Sequence, residues 1–343
     1  MTEQLTDLPR CLLVAGSTET AAIEGISAAG ADPELMTETP STDAELLTYG
    51  RPVRADAIPV SPTGCPTPTL VTRAAREVLG FPVSVLDAGM AAPTAAPTVE
   101  IEFSPGADIR ESVAVPDATE IYSEAKDLGQ ALPDQPVYIG ETIPGGTTTA
   151  LGVLQALGEP ATVSSSLPAN PLERKQAVVD AGLAASELNP GDCAGEPLRA
   201  IEAVGDPVLA ATLGLTEGIT RSGGEAVLAG GTQQLAACAL LRHAGVEEPL
   251  TVATTSYVAE DDSAAVQKLA ESLDVELAVT DPGFAGADHP TARRFEAGEV
   301  KEGVGMGGAL HLADAADRLP AVRHRVQRGY ERLVDHPAAQ HQQ

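Results

Sequence analysis

The sequence contains few aromatic side chains and no tryptophan. Aromatic residues make up 3% of the 343 positions, whereas hydrophobic residues as a whole make up 43%. A chain of this length and hydrophobic content can bury a sizeable core. Because aromatics are so few, that core has to be built from Ala, Val, Leu and Ile. This composition suits Ala-rich helices that pack closely on Val-rich strands.

Positive charge is also scarce. The chain has 21 Lys and Arg against 49 Asp and Glu, a formal net charge of -28, and its lysines are Lys126, Lys175, Lys268 and Lys301. A surface of this sign repels nucleic-acid phosphates and anionic membranes, so we expect neither as a partner. The acidic, Lys-poor composition favours a protein that works in very high salt, where the Debye length falls to about 3 Å. An acidic protein of an ordinary cytosol is the alternative.

Patterns typical of metal, redox and hydrolase sites are missing from the sequence. The four cysteines form no CxxC pair, which predicts buried reduced thiols, and neither HExxH nor GxSxG occurs. We therefore expect no metal and no cofactor. The first residues do not combine a basic segment with an apolar stretch, and no apolar run approaches the ~18 residues of a membrane span. We expect a soluble, cytoplasmic protein.

Short β-rich runs alternate with Ala-rich helical stretches along the chain. Helical spacing predicts a helix in residues 20–30 and another in residues 68–80, the second closed by Gly80. Strands are expected within residues 11–16, 81–89, 137–141, 225–231, 249–259 and 275–283. This alternation predicts an α/β fold, a doubly wound, mainly parallel sheet flanked by helices. Ligands of such sheets bind at the carboxyl ends of the strands.

The domain organisation expected from the sequence is simple. Residues 1–318 form one α/β domain, whose chemistry-bearing motifs lie between residues 140 and 310. Arg at helical intervals predicts an amphipathic helix over residues 319–336, and residues 337–343 form a frayed tail. The segments rich in Pro, Thr and Ala, residues 59–69 and 91–97, predict loops near the face that carries the site.

One motif spans residues 140–158 and could bind an anion. A strand ends at Glu141, a turn contains Gly145 and Gly146, and Thr147 and Thr148 open the helix that follows. Glycines let backbone N–H groups approach an anion, and the helix N-terminus adds a favourable dipole. Thr147 could cap the helix or donate to a phosphate oxygen. No Lys follows the glycines, so this is not a Walker loop, and a capped helix after an ordinary turn is the alternative.

A second motif spans residues 299–317 and places one carboxylate beside glycines. Glu302 is followed by four glycines within six residues, beginning with Gly303 and Gly305. A glycine-lined pocket can hold a flat ring against backbone, and the carboxylate could accept a proton from a ring nitrogen. A solvent-exposed Glu in a helix-entry loop is the alternative.

Two further features could contact a phosphate. Lys175 is one of only four lysines, and an isolated Lys can serve as a point charge for phosphate; a solvated helix-face Lys is the alternative. Gly230 and Gly231 join a strand to a helix and form a second possible anion nest.

Taken in order, these segments resemble the nicotinate-nucleotide–dimethylbenzimidazole phosphoribosyltransferases, most closely the shorter archaeal branch associated with cobamide synthesis. GETIPGGTT at residues 140–148 matches a GEMGIGNTT segment of bacterial members, and VKEGVGMGGAL at residues 300–310 matches LGEGSGAAL. Between them, RKQAVVDAGL, VGDPVLAATLG and LAGGTQQLAACAL match three more segments in the same order. Ala229 and Gly231 depart from the Asp and Phe of a DGF-type segment.

The resemblance implies a fold, a reaction and residue roles. The fold is a doubly wound domain with a small helical subdomain, assembled as a homodimer. Glu302 would be the general base, and the nucleotide phosphate would be held by Gly145, Gly146, Thr147, Thr148 and Lys175. The reaction would move the phosphoribosyl group of nicotinate mononucleotide to a benzimidazole-type base, giving an α-ribazole phosphate for the lower ligand of a cobamide.

The chemistry of this transfer suits the residues. The leaving ring is a cationic pyridinium that departs as a neutral nitrogen, so it needs no general acid. The attacking azole must lose one proton, for which one carboxylate suffices; Glu141 could stabilise the cationic centre that forms. A non-catalytic nucleotide-binding or regulatory protein on the same fold is the alternative, and a hydrolase is a weaker third.

Overall fold

The protein is described by a computed structural model that covers residues 8–27, 36–54, 60–61, 65–101, 103–133, 135–160, 162–167, 169–286 and 289–334. Its centre is a sheet of seven strands: β1 (Arg10–Ala15), β2 (Val83–Asp87), β3 (Thr98–Glu100), β4 (Val137–Thr142), β5 (Ala226–Ala229), β6 (Leu250–Thr255) and β7 (Val275–Thr280). The strand order is β3-β2-β1-β4-β5-β6-β7, and every pair is parallel. The predicted doubly wound fold is confirmed.

Helices connect and cover the strands. A 3₁₀ turn (Glu19–Ala22) follows β1; the α-helices are α1 (Thr39–Tyr49), α2 (Thr69–Leu79), α3 (Ala118–Ala131), α4 (Gly146–Leu157), α5 (Leu172–Ala185), α6 (Pro197–Val204), α7 (Pro207–Arg221), α8 (Thr232–His243), α9 (Ser256–Ala259), α10 (Val266–Ser272), α11 (Pro290–Glu296), α12 (Met306–Ala315) and α13 (Leu319–Val334).

The topology determines where a ligand can bind. From β1 the chain winds outward through β2 and β3, then returns to the other side of β1 and continues through β4 to β7. The strand order therefore reverses between β1 and β4. Such a reversal opens a crevice beyond the carboxyl ends of the two strands, where ligands of this fold class bind. Glu141 and Thr142 are the last residues of β4 and lie at this crevice.

Two main apolar cores cover the two faces of the sheet. On the first face, Val14 of β1 and Ile139 of β4 pack with helices that include α4, α7 and α8. On the second face, α2, α12 and α13 form a smaller core to which Val71, Met306 and Val326 contribute. The predicted C-terminal helix is confirmed over Leu319–Val334 and shares this core.

Small residues allow the close packing expected from the lack of aromatics. A Cβ on Gly214 or Gly218 of α7 would overlap the carbonyl oxygen of Tyr122 or Lys126 in α3. The two helices therefore approach at backbone distance. The four cysteines are free, as predicted, and three of them are buried; Cys11 is half-buried.

Parts of the sequence interpretation need correction or fall outside the described residues. The helix expected over residues 20–30 is reduced to the 3₁₀ turn Glu19–Ala22, and the chain then continues in turns to Ser27. The sequence analysis also did not predict β3 and α3. Helix α2 ends at Gly80 with a φ of 82°, as expected. Residues 59 and 62–64 of the predicted loop over residues 59–69, and the whole predicted tail over residues 337–343, lie outside the described residues. The described residues of that loop are not helical until α2 begins at Thr69.

Candidate active site

A cavity of about 140 Å³ lies at the crevice beyond β4. Its wall combines the residues after β4, the segment before α12, and residues of α1 and α8. Four carboxylates lie in or beside it: Asp43, Glu141, Asp206 and Glu302. Of the residues predicted from the sequence, the cavity is lined by Glu141, Gly145, Gly146, Thr147, Glu302 and Gly303.

The segment before α12 carries Glu302 over the end of the sheet. Gly303 and Gly305 have φ values of 133° and 71°, which favour glycine, and the N–H of Val304 donates to the Glu141 carbonyl oxygen at 2.8 Å. Val300 and Val304 also have positive φ, 52° and 53°, an uncommon conformation for β-branched residues. The loop is thus tightly constrained, and its constraint directs the Glu302 carboxyl group toward the cavity.

The two oxygens of Glu302 have different surroundings. Oε1 accepts the N–H of Gly307 at 2.8 Å and so binds the N-terminal turn of α12. Oε2 is buried and has no hydrogen-bond partner among the described residues. Burial raises the pKa of Glu302 from its ordinary value of 4.5 to about 8, although nearby backbone N–H groups oppose the shift. A carboxylate with one fixed oxygen and one free oxygen is placed to accept a proton from a ligand in the cavity.

Glu141 is the second carboxylate at the strand end. It is buried, and burial raises its pKa well above 4.5, with further increases from the charges of Glu302, Asp206 and Asp43. The negative charge of Glu302 thus disfavours ionisation of Glu141. A cationic ligand, or a positive charge that develops during a reaction, favours the ionised form of these carboxyl groups and is stabilised by it.

The glycine turn opens α4 at the cavity, as predicted. Gly145 has a φ of 82° and caps a helix that begins at Gly146, so the predicted capping role of Thr147 is wrong. Thr147 is half-buried and lines the cavity, where its hydroxyl can serve a ligand. Thr148 points elsewhere: it is fully buried and its Oγ1 has no hydrogen-bond partner among the described residues. The α4 N-terminus thus lies at the cavity, where the N–H of Gly146 donates to the Ile143 carbonyl oxygen at 3.1 Å and that of Thr148 to the Gly145 carbonyl oxygen at 2.8 Å. The helix dipole at this end still favours an anion.

Lys175 is not the solvated helix-face residue of the alternative interpretation. It is fully buried in α5, and its Nζ donates to the carbonyl oxygen of Ser164 at 2.8 Å. Burial, together with the nearby charge of Lys301, lowers the pKa of Lys175 to about 7. Lys175 does not itself line the cavity; Ser165 and Ser166, which follow its partner, do.

A polar network extends from this wall. Asp261 accepts hydrogen bonds from the hydroxyl of Ser164 and the ammonium of Lys301, both at 2.6 Å. These contacts outweigh burial and lower the pKa of Asp261 to about 2. The hydroxyl of Thr255 donates to the Lys301 carbonyl oxygen at 2.7 Å. Because Lys301 precedes Glu302, the network connects the wall beside Lys175 to the loop that carries the candidate base.

Gly230 and Gly231 support the site but do not line the cavity. A Cβ on Gly230 would lie 3.3 Å from Oε1 of Glu141, and one on Gly231 would lie 3.6 Å from Cβ of Glu302. The closest contact of a Cβ on Gly230 would be with the Gln234 side chain, at 2.6 Å, so these glycines pack beside the carboxylates and are not a second anion nest at the cavity. Gly305 likewise does not line the cavity but packs on Gly140.

Sequence reasoning missed a polar pair behind the glycine turn. Asp206 caps α7 through the N–H of Leu209 and accepts hydrogen bonds from Thr149 and from Nε2 of Gln233, the last at 2.9 Å. Gln233 lines the cavity, and its Oε1 is buried without a hydrogen-bond partner among the described residues. Pro207 after Asp206 is a readable helix-start signal, but nothing in the sequence places it near Gln233.

A second missed group surrounds Asp43 of α1. Its Oδ1 accepts the hydroxyls of Thr67 and Thr69 at 2.7 and 2.6 Å, and its Oδ2 accepts the hydroxyl of Thr142 at 2.8 Å. Asp43, Thr67 and Thr142 line the cavity. Burial raises the pKa of Asp43, and the three hydroxyls oppose that increase. Ser and Thr around an Asp are too common in sequences to have indicated this cluster.

Two features are absent from the described residues. No group of three or more His, Cys, Asp or Glu side chains within them is placed to hold a metal ion. No helix in the part of the chain that the structure covers is long and apolar enough to cross a membrane.

Fold and site define a doubly wound α/β protein with an acidic cavity at the strand-order reversal, and solved structures share this fold. A nicotinate-nucleotide-dimethylbenzimidazole phosphoribosyltransferase from Thermus thermophilus superposes with a TM-score of 0.64 at 20% identity, over 92% of this chain and 84% of that one. CobT from the same organism gives a TM-score of 0.61 at 18% identity, over 94% and 84%. At these identities the likeness shows a common fold and confirms the fold that the sequence resemblance implied.

The chain belongs to the UPF0284 family. It is 58% identical over 323 residues to a UPF0284 protein of Halobacterium salinarum, covering 94% of this chain and 97% of that protein. It is 43% identical to family members from Methanosarcina acetivorans, over 89% of both chains, and from Pyrococcus furiosus, over 94% of this chain and 98% of that protein. No protein-family model matches the chain.

Proposed function

We propose that this protein transfers the phosphoribosyl group of nicotinate mononucleotide to a benzimidazole-type base, giving an α-ribazole phosphate for the lower ligand of a cobamide. The observation that carries the proposal is the buried Oε2 of Glu302, which lies in the cavity at the strand-order reversal without a partner among the described residues. The fold shared with a solved enzyme of that name supports the same reaction.

Glu302 acts as the general base in this proposal. The bond between C1′ and the nicotinate ring breaks, and its electron pair returns to the ring nitrogen, which leaves neutral. One nitrogen of the acceptor base forms the new bond to C1′, and the proton on its other nitrogen passes to Oε2 of Glu302. The raised pKa of Glu302 suits this task, because a base with a pKa near the working pH is the most efficient.

The nucleotide phosphate binds at the N-terminus of α4. We place the phosphate against the N–H of Thr147, because Thr147 lines the cavity and the helix dipole favours a negative group there. The N–H of Gly146 already donates to the carbonyl oxygen of Ile143 at 3.1 Å. The buried ammonium of Lys175 lies behind the adjoining wall at Ser164 and adds positive potential.

Glu141 stabilises the reacting centre electrostatically. The substrate ring is cationic before transfer, and C1′ gains positive character as the glycosidic bond breaks. Acidic groups aimed at such a centre cost no reorganisation during the reaction. In the same way, the acidic wall favours a pyridinium nucleotide over one whose base is neutral.

The experiment that tests this function is an assay with nicotinate mononucleotide in molar KCl, with and without 5,6-dimethylbenzimidazole. We expect nicotinate release that depends on the base, and a ribosylated base phosphate detected by mass spectrometry. Release without a base would indicate a hydrolase. Nucleotide binding with no release would indicate a non-catalytic nucleotide-binding protein and contradict the proposal.

A matched pair of variants identifies the base. Glu302→Gln removes basicity and should lower kcat by about 10²- to 10⁴-fold while nucleotide affinity changes little. Glu299→Gln is the control, since Glu299 is also buried, lies three residues away and does not line the cavity. Parental turnover in Glu302→Gln would exclude Glu302 as the base and make Glu141 the next candidate.

A further inference from the structure

The cavity has two chemically different ends. In the register of β1 and β4, Glu141 pairs with Val14 and Thr142 pairs with Ala15. Val14 belongs to the first core, together with residues of α4, whereas Ala15 packs with α1. Thr142 therefore faces α1, and the glycine turn that opens α4 belongs to the other face.

The two ends of the cavity suit different parts of the reactants: the phosphate at one end and the acceptor base at the other. A phosphate at the N-terminus of α4 lies on the first face, which Glu141 shares with Val14, whereas Glu302 comes from the loop before α12 on the second face. An acceptor base that reaches C1′ from beyond these carboxylates then lies on the side of α1. The polar group on that side is Asp43 with its three Thr hydroxyls.

Asp43 has hydrogen-bonding capacity left for a ligand. An ionised carboxylate offers about four lone-pair positions. Two hydroxyls occupy Oδ1 and one occupies Oδ2, so one position on Oδ2 remains within the described residues. Asp43 is 2% exposed and lines the cavity. A buried carboxylate that faces an apolar ring edge loses solvation without compensation, whereas one that meets a donor regains it.

We propose that Asp43 selects acceptor bases that carry a hydrogen-bond donor, a hydroxyl or an amino group, on their carbocyclic ring. The inference rests on the proposed function for the role of the base, and it adds a substrate class to that function. The neighbouring walls admit a flat ring, since Val60, Pro68, Val300 and Val304 contribute to the cavity. The donor group on the ring then donates a hydrogen bond to Oδ2 of Asp43.

The test compares two bases of nearly equal size, 5-hydroxybenzimidazole and 5-methylbenzimidazole, in molar KCl. Binding of each base is measured by equilibrium dialysis in the presence of nicotinate mononucleotide, and turnover is measured separately as kcat/KM. A hydrogen bond to a charged group predicts a preference of about 10- to 150-fold for the hydroxylated base. A ratio near one in the parent protein would overturn the inference.

Asp43→Asn makes the test specific. Thr67 and Thr69 both donate to Oδ1, so the amide oxygen keeps that place and the amide nitrogen replaces Oδ2. The free acceptor becomes a donor, and the preference for the hydroxylated base should vanish or reverse. Glu45→Gln is the control: Glu45 is a buried carboxylate of the same helix that binds backbone N–H groups of Val53, Arg54 and Ala95 and does not line the cavity.

The outcomes separate the inference from the proposed function. A preference in binding that Asp43→Asn abolishes supports the inference even if no base is ribosylated, and the failure then belongs to the proposed function. A preference that Asp43→Asn leaves unchanged assigns selection to another group and overturns the inference. It is also overturned if the variant instead loses discrimination against 2′-deoxynicotinate mononucleotide, because Asp43 would then bind the ribose.

Discussion

Gly140 and Gly305 are in backbone contact: a Cβ on Gly140 would lie 2.7 Å from the Cα of Gly305. Gly140 precedes Glu141 in β4, and Gly305 caps α12 directly after the loop that carries Glu302. The contact therefore fixes the distance between the two carboxylates through their backbones. No flexible side chain is available to move aside, so the position of the Glu302 loop depends on the absence of a side chain at residue 140.

Gly140→Ala should displace the Glu302 loop from the end of β4. Overpacking at a contact between backbones typically costs about 1–3 kcal/mol of stability, and misplacement of a reacting group by about 1 Å can cost about 10²-fold in rate. Thermal unfolding and nicotinate release measure the two effects. Gly245→Ala is the control: residue 245 has a φ of 80° and open space, so this change strains the backbone far from the cavity. Equal turnover in the two variants would contradict the positioning role.

Glu302→Gln should become more stable relative to the parent protein as pH rises from 5 to 9. Burial raises the pKa of Glu302 to about 8 in the folded state, against about 4.5 unfolded. The folded state therefore binds more protons in this window, and its stability falls as pH rises through it. Glutamine does not ionise, so the variant does not lose stability in this way. Melting midpoints of both proteins at several pH values measure the effect, and a difference that does not vary with pH would exclude a raised pKa for Glu302.

Binding of nicotinate mononucleotide should take up protons at Lys175. The pKa of Lys175 is lowered to about 7, so at pH 8 most of its ammonium groups have lost their proton. A phosphate bound nearby favours the charged form and raises this pKa. Calorimetry at pH 8 in two buffers of different ionisation enthalpy gives the number of protons taken up. Lys175→Met should abolish the uptake, whereas Lys268→Met, at an exposed position of α10, should not. Uptake that persists in Lys175→Met would place the phosphate elsewhere.

Molar KCl should stabilise the fold, and its effect should be larger at neutral pH than near pH 5. A net charge of -28 repels itself, and salt at molar concentration screens that repulsion. We expect the melting midpoint to rise between low and molar KCl at pH 7. The increase should be smaller near pH 5, where the charge approaches zero because the pI is about 4.4. An unchanged midpoint at pH 7 would contradict a salt requirement.

Local sequence determined the elements and the glycine turns of the site. The alternation of strand and helix predicted the doubly wound sheet, and Gly80 marked the end of α2 correctly. Glu141, the Gly145–Thr147 turn and Glu302 were found because each stands within a few residues of its supporting glycines, so spacing along the chain reports their geometry. The helix predicted over residues 20–30 is wrong, because an Ala-rich composition alone does not show that turns interrupt a helix.

Tertiary structure alone decided the remaining site residues and every perturbed pKa. Asp43 and Thr142 are separated by 99 positions and meet only because parallel strands bring distant crossovers to one edge of the sheet. The same crossovers bury Lys175 behind Ser164 and leave Oε2 of Glu302 without a partner among the described residues. The burial of a group and the effect of distant charges on its pKa depend on all the elements packed around it. They therefore cannot be deduced from any single segment of the sequence. For this protein, the sequence determined which chemical groups stand at the strand ends, and the packing of the two helical layers decided how those groups ionise and what they face.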